Sequence, residues 1–187
     1  MDKLFPALCL AWFASESWIV LRRRSGDRLR SRDAGTLRLL AVCIGAALAL
    51  AVWFDALGAA RFATPLQAPL WWGGVALMAF GMLLRWWAVR VLAQQFTVDV
   101  TIRPGHALVR AGPYRWLRHP SYTGLLLTFA GFGLALGNWG SLLATTAPVV
   151  LALLWRIQVE EAVLREAFPA QYPAYARTTK RLIPFVW

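Results

Sequence analysis

The stretch SYTGLLLTFAGFGLALGNWGSLLATTAPVVLALLWRI, residues 121–157, decides how this chain folds. It holds two apolar runs, 121–137 and 140–157, joined by Gly137-Asn138-Trp139-Gly140. A connection that short permits only an antiparallel pair of helices. Runs of roughly 17–20 apolar residues, rising about 1.5 Å per residue, are what a bilayer core requires. Gly124, Gly131 and Gly133 supply small residues for close helix packing, and Pro148 predicts a kink in the returning helix.

Working outward, three further apolar segments precede the hairpin, at 4–21, 37–57 and 69–92. With 59% hydrophobic residues and eleven Trp in 187, the chain has more apolar surface than a soluble core would use. The pattern predicts an all-α integral membrane protein of about five transmembrane helices, ending in a helical hairpin with cytoplasmic segments. It forms a single membrane domain over 1–187. Residues 1–92 provide three transmembrane helices, and 93–187 form the half richer in His, Tyr, Glu, Gly and Pro.

The net charge of +11 raises the question of nucleic acid, but the basic residues lie between apolar segments and not along one polar face. Arg22, Arg23, Arg24, Arg28, Arg30, Arg32 and Arg38 follow the first segment. Arg90, Arg103, Arg110, Arg115 and Arg118 follow the third, and Arg165, Arg177, Lys180 and Arg181 follow the fifth. These are alternate connections, so the positive-inside rule puts the N-terminus outside and the C-terminus in the cytoplasm. Only Lys3 precedes the first run and the Arg cluster follows it, an order expected of an anchor and not of a cleaved signal. Cys9 and Cys43 fall inside apolar spans and read as small buried residues. With only His106 and His119 besides, no metal site is expected.

The residues able to carry chemistry crowd into Gly112-Pro113-Tyr114-Arg115-Trp116-Leu117-Arg118-His119-Pro120-Ser121-Tyr122-Thr123-Gly124. Pro120 suits the first turn of a helix and leaves backbone donors facing the preceding loop, a setting that favours an anion. Arg118 and His119 add hydrogen-bonding side chains, and Tyr114 and Tyr122 add aromatic faces. A nucleotide-like ligand bearing a carboxylate would find partners here. The plainer reading of such a cluster is an interfacial belt anchoring a helix end among head groups. A second cluster closes the fifth helix, where Arg156 and Glu160, four residues apart, share one face while Glu161 is turned about 100° away toward different partners. Charges at an embedded helix end are costly unless paired or facing a wet cavity, which marks them as functional candidates. Arg85 lies near the end of the third span and is expected to snorkel to the surface. Residues 97–104 alternate polar and β-branched types and predict a short extended stretch.

The pattern Gly-Pro-Tyr-Arg-x-x-Arg-His-Pro-x-Tyr-x-Gly over 112–124, then a helical hairpin, then Glu160-Glu161 and spaced tyrosines, resembles the isoprenylcysteine carboxyl methyltransferase family, with the related phospholipid methyltransferases. Arg85-Trp86-Trp87, Gln95-Phe96-Thr97 and Leu182-Ile183-Pro184 extend the likeness over roughly 75–187, whereas the first 70 residues match only as hydrophobic helices. The resemblance implies transfer of a methyl group from S-adenosylmethionine, leaving S-adenosylhomocysteine, to a lipophilic acceptor that enters from the bilayer. It also implies that cytoplasmic loops bind the cofactor through Val109, Gly112, Pro113, Tyr114, Arg118, His119, Pro120, Tyr122 and Glu161, with Arg156 and Glu160 at the methyl-transfer centre. Membrane lipids are the expected surroundings, and nucleic acid is not an expected partner. The Ala-, Arg- and Leu-rich composition fits a bacterial inner-membrane protein. The acceptor stays open among a prenyl or phenolic lipid and a phospholipid amine. Two alternatives stand beside this one: a sterol-reductase-like enzyme using NADPH, and a non-enzymatic membrane scaffold or transport subunit.

If the basic cluster acts through charge alone, Arg→Lys changes at Arg22, Arg24, Arg28 and Arg30 leave orientation unaltered. Labelling of introduced cysteines from either side of a vesicle checks this, and inverted accessibility would refute it.

Overall fold

The computed structural model describes residues 3–23, 35–58, 60–93 and 107–184. Among them are six α-helices: α1 (Leu4–Arg23), α2 (Thr36–Leu57), α3 (Thr64–Leu92), α4 (Pro120–Ala135), α5 (Trp139–Ala167) and the short α6 (Gln171–Thr178). Each of the five apolar segments is a helix. Four of them, α1, α2, α3 and α5, are long and apolar enough to cross a membrane. Helix α4, with 16 residues, reaches only about 24 Å and is held between α3 and α5. Large apolar side chains stay on the outside, among them Leu10, Phe13, Leu21, Leu83 and Leu151. Such a shell suits lipid and not water. The chain is an integral membrane protein.

The α4–α5 connection follows from its residues. Gly137 takes a left-handed φ of 81°, which ends α4, and the Asn138 side chain accepts from the Ser141 backbone N–H at 2.7 Å to cap α5. The same end of the molecule receives the α2–α3 connection, because Phe62 N–H donates to the Gly137 carbonyl and Trp139 N–H to that of Ala60. Helix α5 runs to Ala167, well past the expected residue 157. Its polar continuation stays helical because Arg156, Glu160, Glu161 and Arg165 all find hydrogen-bond partners. Pro148 lies within α5, which continues through it.

Glycines decide how α3 and α4 meet. A Cβ on Gly81 would lie 2.6 Å from the Gly124 carbonyl oxygen, and one on Gly74 would lie 2.7 Å from that of Gly131. The pairs are spaced seven residues apart on each helix, so they lie along one seam and bring the two backbones into contact. Gly133 does the same against α5 at Leu142. Around this seam Met78, Leu125, Phe129, Phe132, Val149 and Leu153 form the core, and Trp12 of α1 meets Phe129 edge-on at 4.8 Å. Cys9 and Cys43 are unpaired and half-buried in α1 and α2. The extended stretch expected at 97–104, together with His106 and the Arg-rich residues 24–34, lies outside the described residues.

Gly81→Ala should lower stability by about 1–3 kcal/mol through overpacking. Gly73→Ala, on the same helix with open space at its Cβ position, should be neutral or mildly stabilising. Thermal unfolding in detergent separates the two; equal effects would remove the seam's role.

Candidate active site

The segment ahead of α4 begins with a single 3-10 turn, Gly112–Arg115, in which Gly112 adopts φ 57° and packs so near Val91 that a Cβ would stand 2.9 Å from its side chain. Pro113 and Tyr114 are buried there, and Val109 is half-buried just upstream. The C-terminal tail lies across this loop. Arg118 N–H donates to the Lys180 carbonyl at 2.7 Å, His119 N–H to that of Arg181 at 3.1 Å, and Lys180 N–H returns to Trp116 at 3.1 Å. Tyr175 donates its hydroxyl to the Tyr114 carbonyl at 2.6 Å, and Thr123 donates to Leu182 at 2.8 Å. Burial pushes the Tyr175 phenol up to about 12, so it keeps its proton and donates, and burial raises that of Tyr114 as well.

This tail corrects one expectation. The backbone donors of Arg118 and His119 do not face an incoming anion, since chain carbonyls occupy them, and the N–H groups of Tyr122 and Thr123 turn back to the His119 carbonyl. With four of these backbone donors engaged, recognition at this helix end rests chiefly on side chains.

Those side chains converge. The Tyr122 hydroxyl accepts from Arg156 Nε at 2.8 Å and donates to Glu160 Oε2 at 2.7 Å. Arg156, 2% exposed, reaches across to α2 and donates through Nη1 to Thr36 Oγ1 at 2.9 Å. The His119 ring stacks on Tyr122 with centroids 5.5 Å apart, and it stands between two carboxylates: Nδ1 is 3.7 Å from Glu160 and Nε2 is 3.4 Å from Glu161. Residues distant in sequence thus meet at the start of α4.

The adjacent carboxylates differ in kind. Glu161 is fully buried and accepts from Arg118 at 2.9 Å, Arg165 at 2.9 Å and Arg181 at 3.0 Å. Arg118 also donates through Nη1 to the carbonyls of Ala176 and Thr179. Both residues therefore fasten α5 and the tail to the loop. Glu160 keeps 29% of its side chain exposed, and its Oε1 has no hydrogen-bond partner among the described residues. The 100° separation along α5 produces this division. Among the described residues no group of three or more His, Cys, Asp or Glu is placed to hold a metal.

Arg85 does not snorkel. It is 8% exposed and donates to Glu16 of α1 through Nε and through Nη2 at 2.8 Å, while Nη1 donates to Ser121 Oγ at 2.8 Å. An unpaired guanidinium would have to reach water, but a carboxylate on a neighbouring helix removes that need. Glu16 and Thr36 escaped the sequence reading, while Ser121 entered it only as part of the 112–124 cluster and Arg165 and Arg181 only as charges that set orientation. For Glu16 a signal was present, since a lone carboxylate inside an apolar span demands a cation; Thr36 offered none.

Residues 70–171 match the phospholipid methyltransferase family. The chain is 35% identical over 121 residues to protein-S-isoprenylcysteine O-methyltransferase B of Arabidopsis thaliana, covering 62% of this chain and 61% of that protein. Against the protein-S-isoprenylcysteine O-methyltransferase of Saccharomyces cerevisiae identity is 34%, over 60% of this chain and 48% of the yeast protein. The chain therefore spans about half to three fifths of the length of these relatives. In three dimensions it is similar to a eukaryotic intramembrane Ras methyltransferase, isoprenylcysteine carboxyl methyltransferase, with a TM-score of 0.64 and 25% identity, over 78% of this chain and 52% of that one.

Glu161→Gln should destabilise the fold by about 3–5 kcal/mol, because it strands the largely buried Arg118 and removes the anion that Arg165 and Arg181 share, whereas Glu160→Gln should leave the melting temperature nearly unchanged. Parallel thermal melts and limited proteolysis of the tail test the contrast, and a stable Glu161→Gln would refute it.

Proposed function

We propose that this chain, which belongs to the phospholipid methyltransferase family, transfers a methyl group from S-adenosylmethionine to a lipophilic acceptor reaching it from the bilayer. The observation that carries the reading is the meeting of His119, Tyr122, Arg156 and Glu160 at one helix end, with Glu160 partly exposed beside fully engaged neighbours.

The donor set fits the cofactor's chemistry. A sulfonium favours aromatic faces and a carboxylate, which Tyr122, His119 and Glu160 supply together. The Tyr172 hydroxyl is buried without a hydrogen-bond partner among the described residues, a donor that a bound polar group would satisfy. Val109, Gly112, Pro113 and Tyr114 are the further residues that the proposal assigns to the cofactor, and Pro120 starts the helix that carries Tyr122. Arg118 and Glu161 serve by holding loop and tail in place. When bound, S-adenosylmethionine supplies an electrophilic methyl group and leaves as neutral S-adenosylhomocysteine.

The residues' own work is alignment and exclusion of water. Arg156, held by Thr36 and Tyr122, orients an anionic acceptor. A carboxylate acceptor needs no base, and the relatives' names favour a lipid-linked carboxylate of the isoprenylcysteine type. With a hydroxyl acceptor, Glu160 takes the proton. The site end carries Arg110, Arg115, Lys180 and Arg181 while Arg61 sits at the other, which supports a cytoplasmic site, and the Ala-, Arg- and Leu-rich composition fits a bacterial inner membrane. Neither the NADPH-reductase reading nor the scaffold reading gains from the family match.

Isothermal titration of S-adenosylhomocysteine into detergent-solubilised protein tests the proposal. His119→Ala and Tyr122→Phe should weaken binding about tenfold, near 1.4 kcal/mol. Glu160→Gln should bind almost normally yet slow methylation of a lipid extract from radiolabelled cofactor by about a hundredfold. No binding by the unaltered protein would favour the non-enzymatic scaffold.

A further inference from the structure

We infer that Glu16 of α1 is a positioning residue for this site, acting through Arg85 and Ser121 on the first turn of α4; the inference rests on the methyl-transfer reading. Glu16 lies outside the residues that match the family, on a helix whose sequence otherwise reads as a plain anchor. Its carboxylate nevertheless engages two nitrogens of Arg85, and the third nitrogen of that guanidinium bonds the Ser121 side chain. Arg85 thus has every nitrogen committed, and Ser121, 5% exposed, sits between Pro120 and Tyr122.

Geometry makes the link a lever on the site. Gly124, one turn further along α4, packs so closely that a Cβ would lie 2.7 Å from the Arg85 backbone nitrogen. The two helices are therefore in backbone contact at this level, and Arg85 reaches Ser121 with little slack. Fixing Ser121 sets the rotation of the first turn. That rotation sets the stacking of Tyr122 on His119 and the aim of its hydroxyl at Arg156 and Glu160. A mere staple between α1 and α3 would need only the ion pair. The bond to Ser121 connects that pair to the residues of the reaction.

Without Glu16, Arg85 loses the carboxylate that orients it, and the guanidinium turns toward water at the interface. Ser121→Ala isolates the effect, because it removes the 2.8 Å hydroxyl bond to α4, keeps only the longer 3.4 Å bond from Arg85 Nη1 to the Ser121 carbonyl, and leaves the Glu16–Arg85 pair intact.

The test uses the full chain in detergent, comparing the unaltered protein with Glu16→Gln and Ser121→Ala. The readouts are S-adenosylhomocysteine affinity by titration calorimetry, amide hydrogen exchange at 119–124 and the melting temperature. Both variants should weaken affinity about fivefold or more and speed exchange at 119–124, and Ser121→Ala should do so with its melting temperature unchanged. Normal binding by the unaltered protein, with unchanged affinity and exchange in Ser121→Ala, overturns the inference even if Glu16→Gln fails to fold. Absence of binding by the unaltered protein overturns the methyl-transfer reading, and with it the role given to Glu16.

Discussion

A charge surrounded by hydrocarbon has no water to solvate it, and this constraint governs which parts of the chain come together. Arg85, Arg156 and Glu161 are each nearly or wholly buried, and each is met by partners from another element. Arg85 joins α1 to α3 and α4, Arg156 joins α5 to α2 and α4, and Glu161 joins α5 to the loop and the tail. Each bond is a packing instruction as well as a neutralisation. The apolar surfaces between helices cannot supply that specificity, because lipid and leucine are equally acceptable neighbours for an apolar side chain.

The polar links are short, so the helices carrying them must approach closely. The seam of Gly74 and Gly81 against Gly124 and Gly131 permits this, and it lies beside Arg85 and beneath the first turn of α4. Packing and electrostatics are thus coupled at one place: a side chain on the seam would separate the backbones and lengthen the Arg85–Ser121 bond. The 16 residues of α4 are short for a full span, which fits a helix stabilised by α3 and α5 on its flanks more than by lipid.

Local signals were legible in the sequence. The four-residue connection reads as a hairpin, and the spacing of Arg156, Glu160 and Glu161 separates the two carboxylates. Long-range pairing was not. Arg85 reads as snorkelling when only its own segment is considered, since its partner stands 69 residues earlier. Thr36 looks like any first-turn threonine, and the tail's backbone bonds to Arg118 and His119 leave no trace in residue type. Side-chain periodicity reveals which face is polar; the identity of the opposite partner depends on helix arrangement, which apolar runs do not encode.

The adjacency of Glu160 and Glu161 shows why position on a helix matters more than residue type. Both are glutamates at the same membrane depth, and both lie within 4 Å of the His119 ring. Three arginines surround Glu161 and hold it as a fixed anion. Glu160 is held by one phenol hydroxyl and retains an oxygen that no described residue fills. Fixing one carboxylate immobilises the imidazole that stands between them, so the other can face a ligand without carrying the structure. A site assembled this way can change its outward-facing carboxylate at small cost in stability, whereas the inward one is tied to the fold of the entire C-terminal segment.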